Sequence, residues 1–155
     1  MNFRITGLSP APFLPLFGQS QAELARLGVV RRRVDRKPGY PDRIELRDAD
    51  VGDAVLLVNH AHLPVATPFR SSYAIYVREG AQSRYDRVNE VPESFRPRVL
   101  ALRAFDANHM LHDADIVEGA AVESLIERLL ASPDTAYIHA HYAKPGCFAA
   151  RIERA

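Results

Sequence analysis

A single cysteine, Cys147, is all that the chain offers for thiol chemistry, so an intrachain disulfide is excluded. The 155 residues include no apolar run that approaches the length of a transmembrane helix. The first residues also lack the pattern of a secretory signal, in which charged residues precede an apolar stretch. We therefore expect a cytoplasmic protein with no membrane partner.

An excess of charge of one sign is also lacking. Lys and Arg total 20 and Asp and Glu total 19, which leaves a formal net charge of +1. The molecule as a whole therefore has no field that would attract a polyanion. The densest basic run, residues 31–37, is short and is interrupted by Asp35, which is typical of a solvated strand or loop. We expect no nucleic-acid partner.

The remaining composition is that of an ordinary globular domain, with 47% hydrophobic and 25% charged residues. Residues 120–131 give the clearest helix, because their apolar side chains recur at spacings of three and four and so share one face. Ser20 and Glu23 form a capping box, which predicts a short helix near the N-terminus. Pro133 ends the longer helix.

Short apolar or alternating segments bounded by turn residues predict strands. The candidates are residues 3–8, 29–35, 43–46, 54–59, 71–77, 98–106, 113–117 and both arms of the last nineteen residues. The pattern favours an α+β fold and one domain over residues 1–155. We predict a mainly antiparallel sheet of about six strands, with the long helix packed on it and the short helix near the N-terminus.

The last nineteen residues, YIHAHYAKPGCFAARIERA, predict a β-hairpin whose loop length decides which side chains share a face. With an odd loop around residues 144–146, one face is apolar. The other face then carries the polar side chains His139, His141, Cys147 and Arg151. A two-residue loop would place Cys147 opposite the histidines and would mix polar and apolar side chains on both faces. A half-buried sheet needs one apolar face, so we favour the odd register, formed by a wider loop or a bulge.

A cysteine beside a histidine suggests an activated thiol. His139 or His141 next to Cys147 would stabilise a thiolate nucleophile, and Asp106 or Asp113 is a candidate to orient the histidine. The alternative is a purely structural role, in which Cys147 is a small, semi-buried hydrophobic residue. The sequence leaves both readings open.

All six histidines fall in close pairs: His60 with His62, His109 with His112, and His139 with His141. His-x-His on a strand directs both imidazoles to one face, which is a recurrent metal-ligand geometry. However, His60 and His62 follow a strand and precede Pro64, so we expect them in a loop. No acidic ligand lies at a telling spacing after either pair. We therefore assign no metal ligand, leave the cofactor open, and keep a metal-dependent enzyme as the third hypothesis.

Several cationic and hydroxyl side chains favour recognition of an anion. Arg151 and Arg70 would supply bidentate guanidinium groups. Lys144, Ser71, Ser72 and the histidines would add further donors. A pocket for a small polar or anionic molecule is the functional reading that needs the fewest assumptions.

Four motifs, in this order along essentially the whole chain, resemble the bacterial family called domain of unknown function 1203: KPGYP, TPFRSSYAIYVREGA, LRAFDANHM and KPGCFAARIERA. The resemblance highlights Pro38, Gly39, Tyr40, Pro41, Arg70, Ser71, Phe105, Asp106, His109, Gly146, Cys147 and Arg151. The family pattern has a cysteine after Gly-Tyr-Pro, where this chain has Asp42. A disulfide or a metal site with two thiolates is therefore not implied for this chain. The name of the family implies no function.

These observations lead to one leading hypothesis and one rival from another class. In the first, His139, His141, Cys147 and Arg151 form a polar pocket with help from Arg70, Ser71, Asp106 and His109, and this pocket binds a small polar or anionic ligand or carries thiol chemistry. In the rival, the polar side of the hairpin is a non-catalytic surface for a partner or another copy. The sequence does not decide the oligomeric state or whether the chain is an enzyme.

Overall fold

The computed structural model describes residues 1–155, and its strands form two antiparallel sheets. The nine strands are β1 (Phe3–Thr6), β2 (Val30–Arg33), β3 (Ala54–Leu63), β4 (Ser71–Arg78), β5 (Asp86–Val88), β6 (Val99–Phe105), β7 (Leu111–Glu118), β8 (Tyr137–Tyr142) and β9 (Phe148–Arg154). The larger sheet has six strands in the order β5-β1-β9-β8-β6-β7, and the smaller one has the order β2-β3-β4. The α+β fold and the six-stranded sheet are thus confirmed, and the smaller sheet is additional.

Two α-helices, α1 (Gln21–Arg26) and α2 (Val122–Ala131), accompany the sheets. Short 3₁₀ turns cover Leu14–Leu16, Glu93–Phe95 and Gly119–Ala121. The Ser20 hydroxyl accepts a hydrogen bond from the Glu23 backbone N–H at 3.1 Å, as the capping box predicts. No helix has both the length and the apolar character needed to cross a membrane.

Helix α2 packs its apolar stripe on one face of the larger sheet. Val122, Ile126 and Leu129 are buried and join a core cluster with side chains of β6, β8 and β9. Arg128, outside the stripe, forms ion pairs with the carboxylates of Asp113 and Asp115 on β7. The amphipathic pattern therefore predicted the contact face of this helix correctly.

The segment at residues 43–46 is a turn, so the strand expected there is wrong. The Asp42 carboxylate accepts hydrogen bonds from the backbone N–H groups of Glu45 and Arg78, at 2.6 and 2.7 Å, and Leu46 has a φ of 53°. The turn directs Ile44 into the core beneath the smaller sheet and Leu46 into the core beneath α2. Arg43 lies between these two cores and is 1% exposed.

Strand β3 is longer than its apolar part, and it includes His60 and His62, which the sequence had suggested were in a loop. The end of β3 approaches the face of the larger sheet opposite α2. The His62 ring lies 5.0 Å from the His141 ring and 6.1 Å from the His139 ring, centroid to centroid. We call His60, His62, His139 and His141, together with the Phe148 ring among them, the histidine layer.

A β-bulge at Ala149 changes the register of the C-terminal hairpin. His139 pairs with Arg151 and Ala140 with Ala150, as the odd register predicts, but His141 pairs with Phe148. Phe148 consequently faces the histidines and Cys147 faces away from them, which is the reverse of the expected arrangement. A bulge of one extra residue switches the side-chain alternation of everything between it and the turn.

Candidate functional site

The predicted hairpin site is divided between the two faces of the sheet. His139, His141 and Arg151 stay on one face, whereas Cys147 is 7% exposed and belongs to the core cluster with Ala140 and Tyr142. No histidine therefore adjoins the thiol across the hairpin, and the expected Cys–His pair is not formed. The face that carries Cys147 and the face that carries the histidines therefore have different chemistry.

On the Cys147 side, a cavity of about 500 Å³ opens where the hairpin turn meets β4 and the loop that precedes Asp42. Its lining residues are Arg36, Gly39, Pro41, Arg43, Leu57, Tyr73, Ala74, Ile75, Tyr76, Pro97, Arg98, Val99, Tyr142, Lys144, Pro145 and Cys147. We call it the Arg43 cavity. Four of these side chains are cationic, three are tyrosines and none is Asp or Glu.

The Arg43 guanidinium is buried without a carboxylate partner. Its Nε donates to the carbonyl oxygen of Phe148 at 2.8 Å, and Nη1 donates to that of Pro41 at 2.6 Å. Nη2 donates to the sulfur of Cys147 at 2.9 Å. Arg43 forms no salt bridge, so its charge is balanced only by carbonyl dipoles, by the sulfur and by the ring of Tyr142. Buried charges in proteins are normally paired, which makes this environment unusual.

The Tyr142 ring contacts the Arg43 guanidinium and also a second one, that of Arg98. The centre of the Tyr142 ring lies 4.9 Å from Arg43 Cζ and 5.1 Å from Arg98 Cζ. The Tyr142 hydroxyl donates to Ser94 Oγ at 3.0 Å, and burial raises the pKa of this tyrosine. The neutral ring therefore lies close to two cations, an arrangement that favours cation–π attraction with each of them.

Arg98 differs from Arg43 because its charge is neutralised. It forms two charge-assisted hydrogen bonds with the buried Asp48 carboxylate, Nη1 to Oδ2 at 3.0 Å and Nη2 to Oδ1 at 2.6 Å. Arg36 forms one weak ion pair with Asp35, at 3.7 Å, and Lys144 forms none. The uncompensated charges of the cavity are therefore those of Arg43, deep inside, and of Lys144 near its exposed side.

His139 and His141 are buried, His60 and His62 are partly buried, and burial disfavours the charged form of all four rings. Burial lowers the pKa of His139 and of His141 from 6.5 to about 3, and that of His62 to about 4. The Nδ1 atoms of His62 and His139 are buried without a hydrogen-bond partner, whereas His141 Nδ1 lies 3.0 Å from the carbonyl oxygen of Gly146. No three His, Cys, Asp or Glu side chains are grouped as metal ligands.

Two arginines flank His139 on the neighbouring strands, because Arg103 on β6 and Arg151 on β9 are its register partners. Arg103 is partly buried and makes no hydrogen bond or ion pair with the protein, and burial lowers its pKa. Arg151 lies over the Tyr137 ring at 4.1 Å and bonds to Glu153. The polar face proposed as a partner surface is thus mostly interior, with His139 4% and His141 1% exposed.

The other predicted site residues lie outside both regions. Arg70 and Ser71 line a shallow cleft with Ala61, Pro64 and Ser72 at the far end of β3 and β4. Asp106 stabilises its own turn by accepting from the backbone N–H groups of Asn108 and Met110. His109 Nδ1 lies 2.8 Å from the hydroxyl oxygen of Tyr137. The structure does not bring these four residues to the hairpin thiol.

Sequence reasoning missed Arg43, Arg98 and the tyrosines of the cavity. Arg43 occurs in an alternating stretch, where an arginine normally points to solvent. Two of its three acceptors, at Cys147 and Phe148, lie more than a hundred residues away. Tyr142 was placed on the apolar face of the hairpin, as it is. No local spacing signals that two guanidinium groups contact it, because the segments that carry them meet only in the folded chain.

The comparisons with known proteins place the chain in a family. A family model described as Protein of unknown function (DUF1203) matches residues 39–154, a range that includes Arg43, Arg98, Cys147 and the histidine layer. No curated protein and no solved structure matches the chain.

Proposed function

The chain belongs to the family described as Protein of unknown function (DUF1203), and for this member we propose that the Arg43 cavity binds a small anionic molecule. The observation that carries the proposal is the Arg43 guanidinium, which is 1% exposed, has no carboxylate partner and lines a cavity without acidic residues. A free thiol at Cys147 fits a reducing, cytoplasmic setting, which is part of the proposal.

The number of donors on Arg43 supports this proposal. A guanidinium has five N–H groups, and three of them are used by Phe148, Pro41 and Cys147. The two that remain suit an oxyanion, which would also supply the missing countercharge. Binding an anion would therefore remove the main electrostatic cost of burying this arginine.

The size and walls of the cavity indicate the kind of anion. A volume of about 500 Å³ falls in the range of pockets that enclose small metabolites. Tyr73, Tyr76 and Tyr142 give the walls aromatic surface, which packs well against a planar or apolar body. We propose a small carboxylate or phosphate ester, with its charged group toward Arg43 and Lys144.

Calorimetric titration of the purified protein with orthophosphate and with a series of small mono- and dicarboxylates tests the proposal. We expect at least one of these anions to bind with a stoichiometry of one, and to raise the thermal midpoint by preferential binding to the folded state. Added salt should weaken anion binding here less than it would weaken binding to an exposed cation. The reason is that salt screens the charge of a buried guanidinium less than that of an exposed one. If every anion tested, and native mass spectrometry for a copurified acid, gives a negative result, the proposal is wrong.

Charge reversal at the exposed side of the cavity gives the matched mutational test. We expect Lys144→Glu to weaken anion binding by about tenfold or more, because it replaces an attractive charge by a repulsive one. Arg26→Glu makes the same change of charge on α1, outside the cavity, and should leave the dissociation constant unaltered. Equal weakening by both variants would indicate an effect of net charge alone and would contradict the assigned site.

Arg43→Met should have a larger effect on binding. We expect a loss of about one hundredfold or more in affinity, as is typical when one partner of a buried charged hydrogen-bond pair is removed. Circular dichroism and a thermal melt of the variant establish that it is folded. A folded Arg43→Met protein that binds the same anion with unchanged affinity would contradict the role given to Arg43.

A further inference from the structure

We propose that Cys147 is the nucleophile of the Arg43 cavity and reacts with small acids that carry an electrophilic carbon next to the carboxylate. This inference rests on the proposed anion site, because the same guanidinium is required to hold the acid. The supporting observations are the contact between Arg43 and the sulfur, the shared cavity, and the cationic lining.

The contact between Arg43 and Cys147 places a positive charge directly against the sulfur. Sγ lies 2.9 Å from Nη2 and is the one side-chain atom that accepts a hydrogen bond from this buried guanidinium. A guanidinium attracts a thiolate far more strongly than a thiol, and nearby cations are a general means of activating cysteines. No carboxylate competes with the sulfur for this guanidinium.

The Nη2 atom of Arg43 can hold an acid and the sulfur at the same time. Nη2 carries two N–H groups, and one of them is directed at Sγ. A carboxylate held by the other N–H lies beside the sulfur, so the adjacent carbon is within reach of it. Holding the sulfur and the acid on one guanidinium makes their bimolecular reaction effectively unimolecular.

The reaction that follows is a substitution at carbon. The thiolate sulfur attacks the carbon next to the carboxylate, an S–C bond forms, and the bond from that carbon to its leaving group breaks. The leaving group departs with the bonding electron pair. The thiol proton has passed to solvent beforehand, and no oxidant or reductant is required.

Iodoacetate and iodoacetamide provide a matched pair of probes, because they have the same electrophilic carbon and differ in the negative charge. The single cysteine makes labelling specific, and Cys147→Ser supplies the blank. We expect the ratio of the iodoacetate rate to the iodoacetamide rate, near neutral pH, to be at least about tenfold higher in the folded protein than in the same chain unfolded in urea. Lys144→Glu should lower this ratio, and Arg26→Glu should not.

The labelling experiment can fail while the anion titration succeeds, so the two proposals are tested separately. If anions bind but the folded and unfolded chains give the same rate ratio, or if neither probe labels the folded protein, the cysteine inference is wrong and the anion site stands. If the ratio is high and an anion found by calorimetry protects Cys147 from iodoacetate, both are supported. A high ratio without protection by any bound anion would separate the thiol from the anion site and overturn the inference.

Discussion

Lowering the pH from about 7.5 to about 5 is expected to reduce the free energy of unfolding by about 4 kcal/mol through His139 and His141. Both residues are buried, and burial is the main reason that their pKa falls from 6.5 to about 3. The folded protein therefore keeps these rings neutral, while the unfolded chain protonates them below pH 6.5. Each contributes about 2 kcal/mol at pH 5, which lies about 1.5 units below the unfolded value.

The direction of this effect follows from the lowered pKa values. Stability is fully present above pH 6.5 and is lost as the pH falls from 6.5 toward 3. His62, with a pKa of about 4, acts in the same direction, and Arg103 and Arg151 offer no negative charge to compensate. Protonation of His139 would add a positive charge beside the guanidinium groups of Arg103 and Arg151.

Urea unfolding at several pH values measures the effect, and His139→Leu identifies its source. The His139 ring is surrounded by the rings of Phe105, Tyr137 and Phe148, and its Nδ1 has no partner, so an apolar replacement should be tolerated at pH 7.5. We expect the variant to lose about 2 kcal/mol less than the parent between pH 7.5 and 5. A free energy of unfolding that is constant over this range would contradict the buried, neutral layer.

Gly119→Ala is expected to destabilise the fold by at least about 3 kcal/mol, which is about 6 to 12 °C in Tm for a chain of this size. A Cβ at Gly119 would lie 1.8 Å from the carbonyl oxygen of Phe95 and 2.8 Å from that of Arg98. These contacts are with backbone, which has no rotamer available to relieve them. The Gly119 N–H also donates to the Arg98 carbonyl at 2.8 Å, so the close approach fixes the loop that bears Arg98.

Gly18→Ala is the control for this prediction. Gly18 has a φ of 75°, and a Cβ there meets no atom within 4 Å. We expect a cost of about 1–2 kcal/mol, from the backbone conformation alone. Thermal melts of both variants decide the matter, and an equal change in Tm would mean that the approach of Gly119 to Phe95 does not constrain the fold.

Local signals were sufficient for much of the fold. The Ser20–Glu23 pattern and the apolar stripe of residues 120–131 depend on neighbours within one or two turns of helix, and both helices are present. The two arms of the hairpin are also where their alternation indicates. Such features require no knowledge of the rest of the chain.

The register of the hairpin was predicted in part. Pairing of His139 with Arg151 agrees with the separation of polar and apolar side chains, but the bulge at Ala149 reverses the faces of Phe148 and Cys147. Both residues suit a buried face, so a pattern based on polarity has no means of choosing between them. The choice depends on the ring packing of Phe148 with the histidines and on the contact of Cys147 with Arg43.

The cavity could not be predicted because its residues come together from distant parts of the chain. Arg43 reaches its position through the turn stabilised by Asp42, where an alternating strand was expected. Arg98 is held by Asp48, which is fifty residues earlier in the sequence. Anion recognition was expected at Arg70, Ser71, Lys144 and Arg151. The proposal keeps Lys144 and adds Arg43, whose burial no pattern within a single segment indicated.

The most direct test of the anion site is a ¹H–¹⁵N NMR titration of the protein with the anion that calorimetry selects. We predict saturable shifts of the Arg43 side-chain Nε–H signal, identified by its absence in Arg43→Met, together with the backbone signals of Lys144 and Cys147. Signals of Ser71 and Ser72, in the shallow cleft of Arg70, should stay unchanged. Saturable shifts confined to that cleft, or no saturable shift at Arg43, would contradict the account.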